Sequence, residues 1–150
     1  VIRHALEYCT QQNSSYEYTV LLEPTSPLRA VGDIDAVIAR LHENRQRFDS
    51  IVTLGEVGEH PSIMKRIEGL AVQPFVPQLQ QTTRRQDNTP AYFPYGVAYA
   101  AKTDQLLAQN TFYMTRCMGF ALQRYQNYEI DDIYDFVCVE AVMKHEWGVQ

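Results

Sequence analysis

Four carboxylates, Glu129, Asp131, Asp132 and Asp135, fall within seven residues. They lie between a strand-like stretch and an apolar helical pattern, and two kinds of chemistry are open to them. If Glu129 and Asp131 finish a strand, their spacing of two points both side chains to one face. Two carboxylates on one face suit Mg²⁺, which takes one or two carboxylates together with phosphate oxygens. The other reading is an acidic helix start with no ligand. There Asp132 or Asp131 caps the helix and Asp135 complements its dipole.

Further candidates precede this stretch. Leu22-Glu23-Pro24-Thr25-Ser26-Pro27-Leu28-Arg29 follows an apolar strand-like run. In open α/β sheets, ligands bind at the carboxyl ends of strands. Thr25, Ser26 and the backbone amides are expected to be exposed there, as ligand contacts or as a proline turn satisfying itself. Lys65 and the Arg84-Arg85 pair could meet anions, because guanidinium forks match carboxylates and phosphates. They could equally form a solvated basic face. Tyr95, Tyr99, Phe112 and Tyr113 belong to a set of aromatics open to three uses: core, dimer contact or ligand pocket. The four histidines show no metal-ligand spacing, and no Ser-His-Asp or Cys-His arrangement can be drawn.

The elements that must position these residues follow from periodicity. Ile2, Ala5, Leu6 and Cys9 share a helical face. Tyr18 to Leu22 reads as a strand covered on both faces. Asp33 is expected to cap a helix that faces the core with Ile34, Val37, Ile38 and Leu41. Ser50 to Leu54 is a second buried strand. Residues 60–96 are punctuated by Pro61, Pro74, Pro77, Pro90 and Pro94 and read as a projecting hairpin-and-loop excursion. Strand character returns at Val97 to Ala100 and at Cys117 to Leu122. Helices are expected at Asp104 to Ala108 and Ile133 to Lys144. The order is that of a βαβ sheet lacking its first strand.

The 150 residues fit a single domain with a real core. The formal charge of -5 argues against a dedicated nucleic-acid binder. Cys9, Cys117 and Cys138 are sparse and odd in number, which suggests free thiols in a reducing, cytoplasmic setting. No run is apolar enough to span a membrane.

In order, Leu22 to Arg29, His60-Pro61 with Lys65, Arg85-Gln86, Pro94-Tyr95-Gly96-Val97-Ala98-Tyr99 and Glu129-Ile130-Asp131 resemble the acylneuraminate cytidylyltransferase family. The resemblance implies an α/β fold with a three-layer, mostly parallel, Rossmann-like nucleotidyltransferase sheet. It implies a dimerisation and sugar-binding excursion at 60–96 that reaches over the partner of a homodimer. The activity implied is Mg²⁺-dependent transfer of CMP from CTP to the anomeric hydroxyl of a sialic-acid-like 2-keto sugar acid. Glu129 and Asp131 would hold the metal, and Lys65 and Arg85 would be catalytic cations. Glu23, Thr25, Ser26, Arg29, Tyr95, Gly96, Tyr99, Phe112 and Tyr113 would contact substrate.

Three positions depart from the family pattern. Glu23 stands where many members have Gln, Tyr95 where many have Asn, and Glu129 where Asp is more common. The first two point to a sugar other than ordinary N-acetylneuraminate. The family also opens with a strand and a glycine-rich basic loop that cradles the CTP phosphates, and nothing here matches it. The expectation is an N-terminally truncated synthetase with weak nucleotide binding and little activity alone. The rival expectation is a non-catalytic dimeric remnant or binding module of the same fold.

Overall fold

The computed structural model describes residues 1–77 and 88–148. Among them, four strands form one mixed sheet in the order β1-β5-β2-β6. These are β1 (Tyr18–Leu21), β2 (Ser50–Glu56), β5 (Tyr92–Lys102) and β6 (Cys117–Ala121). β5 pairs antiparallel with both β1 and β2, and β6 runs parallel to β2. Three of the four strands therefore run the same way, and β5 is the reversed member between two of them.

Helices cover both faces, giving the three layers expected. The side chains of β2 and β5 alternate between faces, as the pleat requires. Ile51, Ala98 and Ala100 meet Val37 and Leu41 of α2 (Asp33–Glu43) on one side. Val52, Tyr99 and Ala101 meet Leu106 of α3 (Thr103–Gln109), Phe112 and Met114 on the other. Ile2 and Leu6 of α1 (Ile2–Gln11) pack against this second cluster. Leu41 is wholly buried, and burial of one such side chain stabilises by about 1.5–3 kcal/mol.

Within residues 60–96 lies a two-stranded hairpin, β3 (Lys65–Glu68) with β4 (Ala71–Pro74), exposed throughout and, among the described residues, paired only with itself. Ile67, Leu70, Val72 and Phe75 are left open to solvent. A 3₁₀ turn at Pro61–Ile63 leads into it, capped by His60 through the Ser62 N–H. His60 Nε2 meets the Thr89 carbonyl at 2.9 Å, so this imidazole ties the two ends of the excursion together. The last helix, α4 (Ile133–Trp147), buries Val139 but exposes Ile133, Tyr134, Phe136 and Val137.

Three local expectations change. Gly32, not Asp33, is the N-cap of α2, in a left-handed conformation that glycine adopts freely. Asp33 turns inward instead, accepting from Ala30 N at 2.7 Å and Gln126 Nε2 at 2.6 Å. β1 is half-buried along its length rather than covered on both faces. Residues 128–131 form no strand, so strand alternation does not orient Glu129 and Asp131. Ile130 N donates to the Thr25 carbonyl at 2.8 Å, which fastens this segment to the proline loop.

The start of α4 follows the capping reading. Asp132 Oδ1 accepts from Tyr134 N and Asp135 N, while Asp135 Oδ2 accepts from Asp132 N and Asp131 N. Asp132→Ala should therefore lower the unfolding free energy by about 1 kcal/mol in urea denaturation.

Candidate active site

The site is built around an irregularity in β5. Val52 of β2 pairs with Tyr99, but Leu54 pairs with Pro94, so the register shifts between them. Residues 95–98 bulge out opposite Thr53. Such bulges bend the strand and re-aim its side chains. The wholly buried Thr53 stitches this one in place. Its hydroxyl is shared between the carbonyls of Tyr95 and Ala98 and accepts the Ala98 N–H at 3.2 Å. Thr53→Val should cost about 1–3 kcal/mol by leaving these groups unmet. Chemical denaturation measures it, and an unchanged midpoint would remove Thr53 from this role.

The bulge presents Gly96 between two carboxylates. Gly96 N donates to Glu129 Oε1 at 2.9 Å, and the buried Ser26 hydroxyl donates to the same oxygen at 2.7 Å. Glu129 Oε2 carries no hydrogen bond among the described residues. On the other side, Glu23 N donates to the Gly96 carbonyl at 3.1 Å, and the Glu23 side chain fills the space above Gly96. A Cβ added to Gly96 would fall 2.1 Å from Glu23 Oε2 and 2.6 Å from Glu23 Cβ. Glycine is therefore required here by close approach. The Glu23 carboxylate itself has no hydrogen bond or ion pair among the described residues.

Arg29 binds this junction from beneath. Its Nε donates to the Val97 carbonyl at 2.7 Å, and its Nη2 to the carbonyls of Glu23 and Gly96. Partial burial lowers its pKa, against the Glu23 charge, which raises it. Ser26 is drawn inward by Glu129 and is not exposed as the sequence suggested; Thr25 is exposed. The proline loop, the bulge and the approach to α4 thus meet at one point, with Ser26 and Arg29 as its fasteners.

The aromatics divide. Tyr99 is buried 5.9 Å from the Phe112 ring and 6.1 Å from that of Tyr113, centroid to centroid. Burial, then the Tyr113 phenol, then the charges of Glu23 and Glu129 push the Tyr99 phenol well above its usual range. Phe112 belongs to the core, while Tyr113 is exposed. Burial also raises the Tyr95 phenol. Lys65 starts the exposed hairpin and makes no bond to the Glu23–Gly96–Glu129 junction. Arg85 lies outside the described residues. Asp131 is exposed, and its carboxylate makes no hydrogen bond among the described residues.

Sequence reasoning did not single out Arg124, Asn127 or Tyr128. Asn127 is buried over Gly55, and its Nδ2 donates to the Glu56 carbonyl at 3.0 Å. A Cβ on Gly55 would lie 2.0 Å from Asn127 Oδ1. Gly55→Ala should lower the melting temperature, and Asn127→Ala should recover part of the loss. A Gly55→Ala protein with unchanged melting would refute the contact. The only local signal for this pair was a glycine ending an apolar strand, which names no partner.

No family model matches the sequence. The whole chain aligns at 26% identity with an N-acylneuraminate cytidylyltransferase of Streptococcus agalactiae serotype V, covering 39% of that protein. A protein of the same name from Escherichia coli O18:K1:H7 is 24% identical over 90% of this chain and 31% of its own length. This chain is a relative of the acylneuraminate cytidylyltransferases.

It spans well under half the length of these curated relatives. The fold agrees with a CMP:2-keto-3-deoxy-manno-octonic acid synthetase solved in complex with CTP. That match has a TM-score of 0.56 at 14% identity, over 96% of this chain and 68% of the other. The mixed α/β sheet is thus a nucleotidyltransferase fold. Among the described residues, no helix is long and apolar enough to cross a membrane.

Proposed function

We propose that this chain carries the sugar-acid and divalent-cation side of a CMP-sugar-acid synthetase. The reaction would transfer CMP from CTP to the anomeric hydroxyl of a sialic-acid-like 2-keto acid and release pyrophosphate. The observation that carries this reading is the junction at Gly96. A carboxylate fixed by two donors and a second with no partner among the described residues flank one glycine, at the carboxyl end of β1, in a relative of cytidylyltransferases.

Each group has a role in that reading. Among the described residues, Glu129 and Asp131 keep carboxylate oxygens without hydrogen bonds, and hard oxygen donors fit Mg²⁺. They would hold the ion, which when bound neutralises phosphate charge. Glu23, with Thr25, Tyr95, Gly96, Tyr99 and Tyr113, would face the sugar acid, and Glu23 would accept a hydroxyl or amino donor. Ser26 and Arg29 would position these groups, and Phe112 would support Tyr99. Lys65 and Arg85 would counter negative charge developing at the α-phosphate, where preorganised cations act most strongly.

The exposed apolar residues of the hairpin support a homodimer formed through the excursion. Changing both Ile67 and Val72 to Glu should shift the light-scattering mass from dimer to monomer. A wild-type monomer at micromolar concentration would contradict the dimer. The three free cysteines fit a cytoplasmic setting.

The test is pyrophosphate release from CTP with Mg²⁺ and a panel of 2-keto sugar acids. Release that needs all three components supports the synthetase. A second reading is a binding module without turnover. It is favoured by Asp131, which lies exposed. Sugar-acid binding with no release would select it.

A further inference from the structure

The two carboxylates at the Gly96 junction are held differently. Glu129 is clasped by Gly96 N and the Ser26 hydroxyl. Glu23 is half-buried, and among the described residues its carboxylate has no hydrogen bond or ion pair. Its backbone is pinned all the same. Glu23 N donates to the Gly96 carbonyl at 3.1 Å, and the Glu23 carbonyl accepts from Ser26 N at 3.1 Å and from Arg29 Nη2. Pro24 follows and restricts Glu23 to extended backbone. The side chain lies over Gly96, with Oε2 where a Cβ would clash. The fold thus fixes this carboxylate in place and leaves its oxygens open.

The charge around it is unbalanced. Arg29 is a cation whose charge interacts with that of Glu23. Its Nε and Nη2 are committed to the carbonyls of Val97, Glu23 and Gly96 instead. Glu129 adds a second negative charge, and the Tyr99 phenol feels both. A carboxylate partly withdrawn from water without a counter-charge is costly. A ligand that brings the counter-charge recovers that cost on binding.

A sugar acid brings a negative charge of its own. With only hydroxyls and acylated nitrogens besides, it would crowd a further anion against Glu23. A protonated nitrogen reverses the sign of that contact and makes a charge-assisted bond, roughly twice as strong as a neutral one. We propose that the ligand of this junction is an amino-bearing 2-keto sugar acid, selected by Glu23 through its ammonium or amidinium nitrogen. This rests on the reading of the chain as a sugar-acid enzyme and narrows the substrate class to zwitterionic acids.

The probes are three methyl glycosides: that of N-acetylneuraminate, that of neuraminate with its free ring amine, and that of N-acetylneuraminate with an amine replacing the terminal hydroxyl. All keep the carboxylate, and they differ in whether and where a positive nitrogen is present. Binding to the 150-residue chain is read by saturation-transfer NMR with Mg²⁺ present. At least one amine should bind about tenfold more tightly than the uncharged N-acetyl control. Glu23→Gln keeps the shape and removes the charge, and should bring that amine to the level of the control. Glu23→Asp, with the charge on a shorter arm, should fall between. Circular dichroism checks the fold, which a carboxylate without bonds of its own should not disturb.

Equal binding of all three glycosides, no binding of any, or an amine preference that survives in Glu23→Gln would overturn the proposal. Failure of the enzyme reading is seen separately. A Glu23-dependent amine preference without any CTP-dependent pyrophosphate release would sink the synthetase and leave the selectivity standing. Release in which an amino-bearing acid has no lower KM than N-acetylneuraminate would do the reverse.

Discussion

Gly96→Ala is expected to disable the site and destabilise the fold together. The added Cβ would sit 2.1 Å from Glu23 Oε2 and 2.6 Å from Glu23 Cβ and Cδ. A carboxylate tip could swing away, but Glu23 Cβ is fixed to a backbone whose N–H bonds the Gly96 carbonyl. Relief must come from separating the bulge and the proline loop, which strains the Arg29 and Glu129 bonds on either side. Overpacking of this kind costs about 1–3 kcal/mol, readable as a lower midpoint in guanidinium. The companion variant decides the cause. In a Glu23→Gly background the same change should cost far less, because the opposing side chain is gone. Additive costs in that double-mutant cycle would show that Glu23 is not what Gly96 accommodates.

The second large effect separates structure from chemistry at Glu129. Glu129→Ala leaves the Gly96 N–H and the buried Ser26 hydroxyl without their acceptor. Two unmet groups should cost about 2–4 kcal/mol. Glu129→Gln keeps an oxygen where both donors point, so its stability should stay within about 1 kcal/mol of wild type. What Gln loses is the charge, and with it the attraction for a hard divalent cation. The pair of variants therefore predicts opposite patterns. Ala should lose fold stability, and Gln should keep the fold and lose cation-dependent nucleotide binding. Equal stability of the two would mean that Glu129 is not the clasp of this junction.

Much of this was legible from local pattern. The helices announced themselves by apolar periodicity, and β2 by its apolar run. The Asp132–Asp135 cap lay within four residues, so spacing alone exposed it. The prolines marked residues 60–96 as irregular, and within them residues 65–74 form a self-paired hairpin. What spacing could not show was anything set by a partner far along the chain. The bulge at residues 95–98 exists because Thr53, on another strand, supplies the bonds that the ladder lacks. Ser26 looked like a loop hydroxyl and is buried because Glu129, distant in sequence, accepts its hydrogen bond. Arg29, which the resemblance placed among the substrate contacts, faces three backbone carbonyls. Arg124 sat in a polar stretch with no motif around it. Only the fold shows it stacked on Tyr128 beside Tyr95.

In the proposed synthetase Glu129, with Asp131, would hold a divalent cation beside nucleotide phosphates. Mn²⁺ can stand in for Mg²⁺ and is read directly by electron paramagnetic resonance, since binding removes the sharp signal of the free ion. Compared with the same Mn²⁺ and CTP without protein, titration of Mn²⁺ into the protein should deplete that signal further for the wild type and leave it at the protein-free level for Glu129→Gln. Equal depletion by the two proteins, or none beyond the protein-free level by the wild type, would contradict the account.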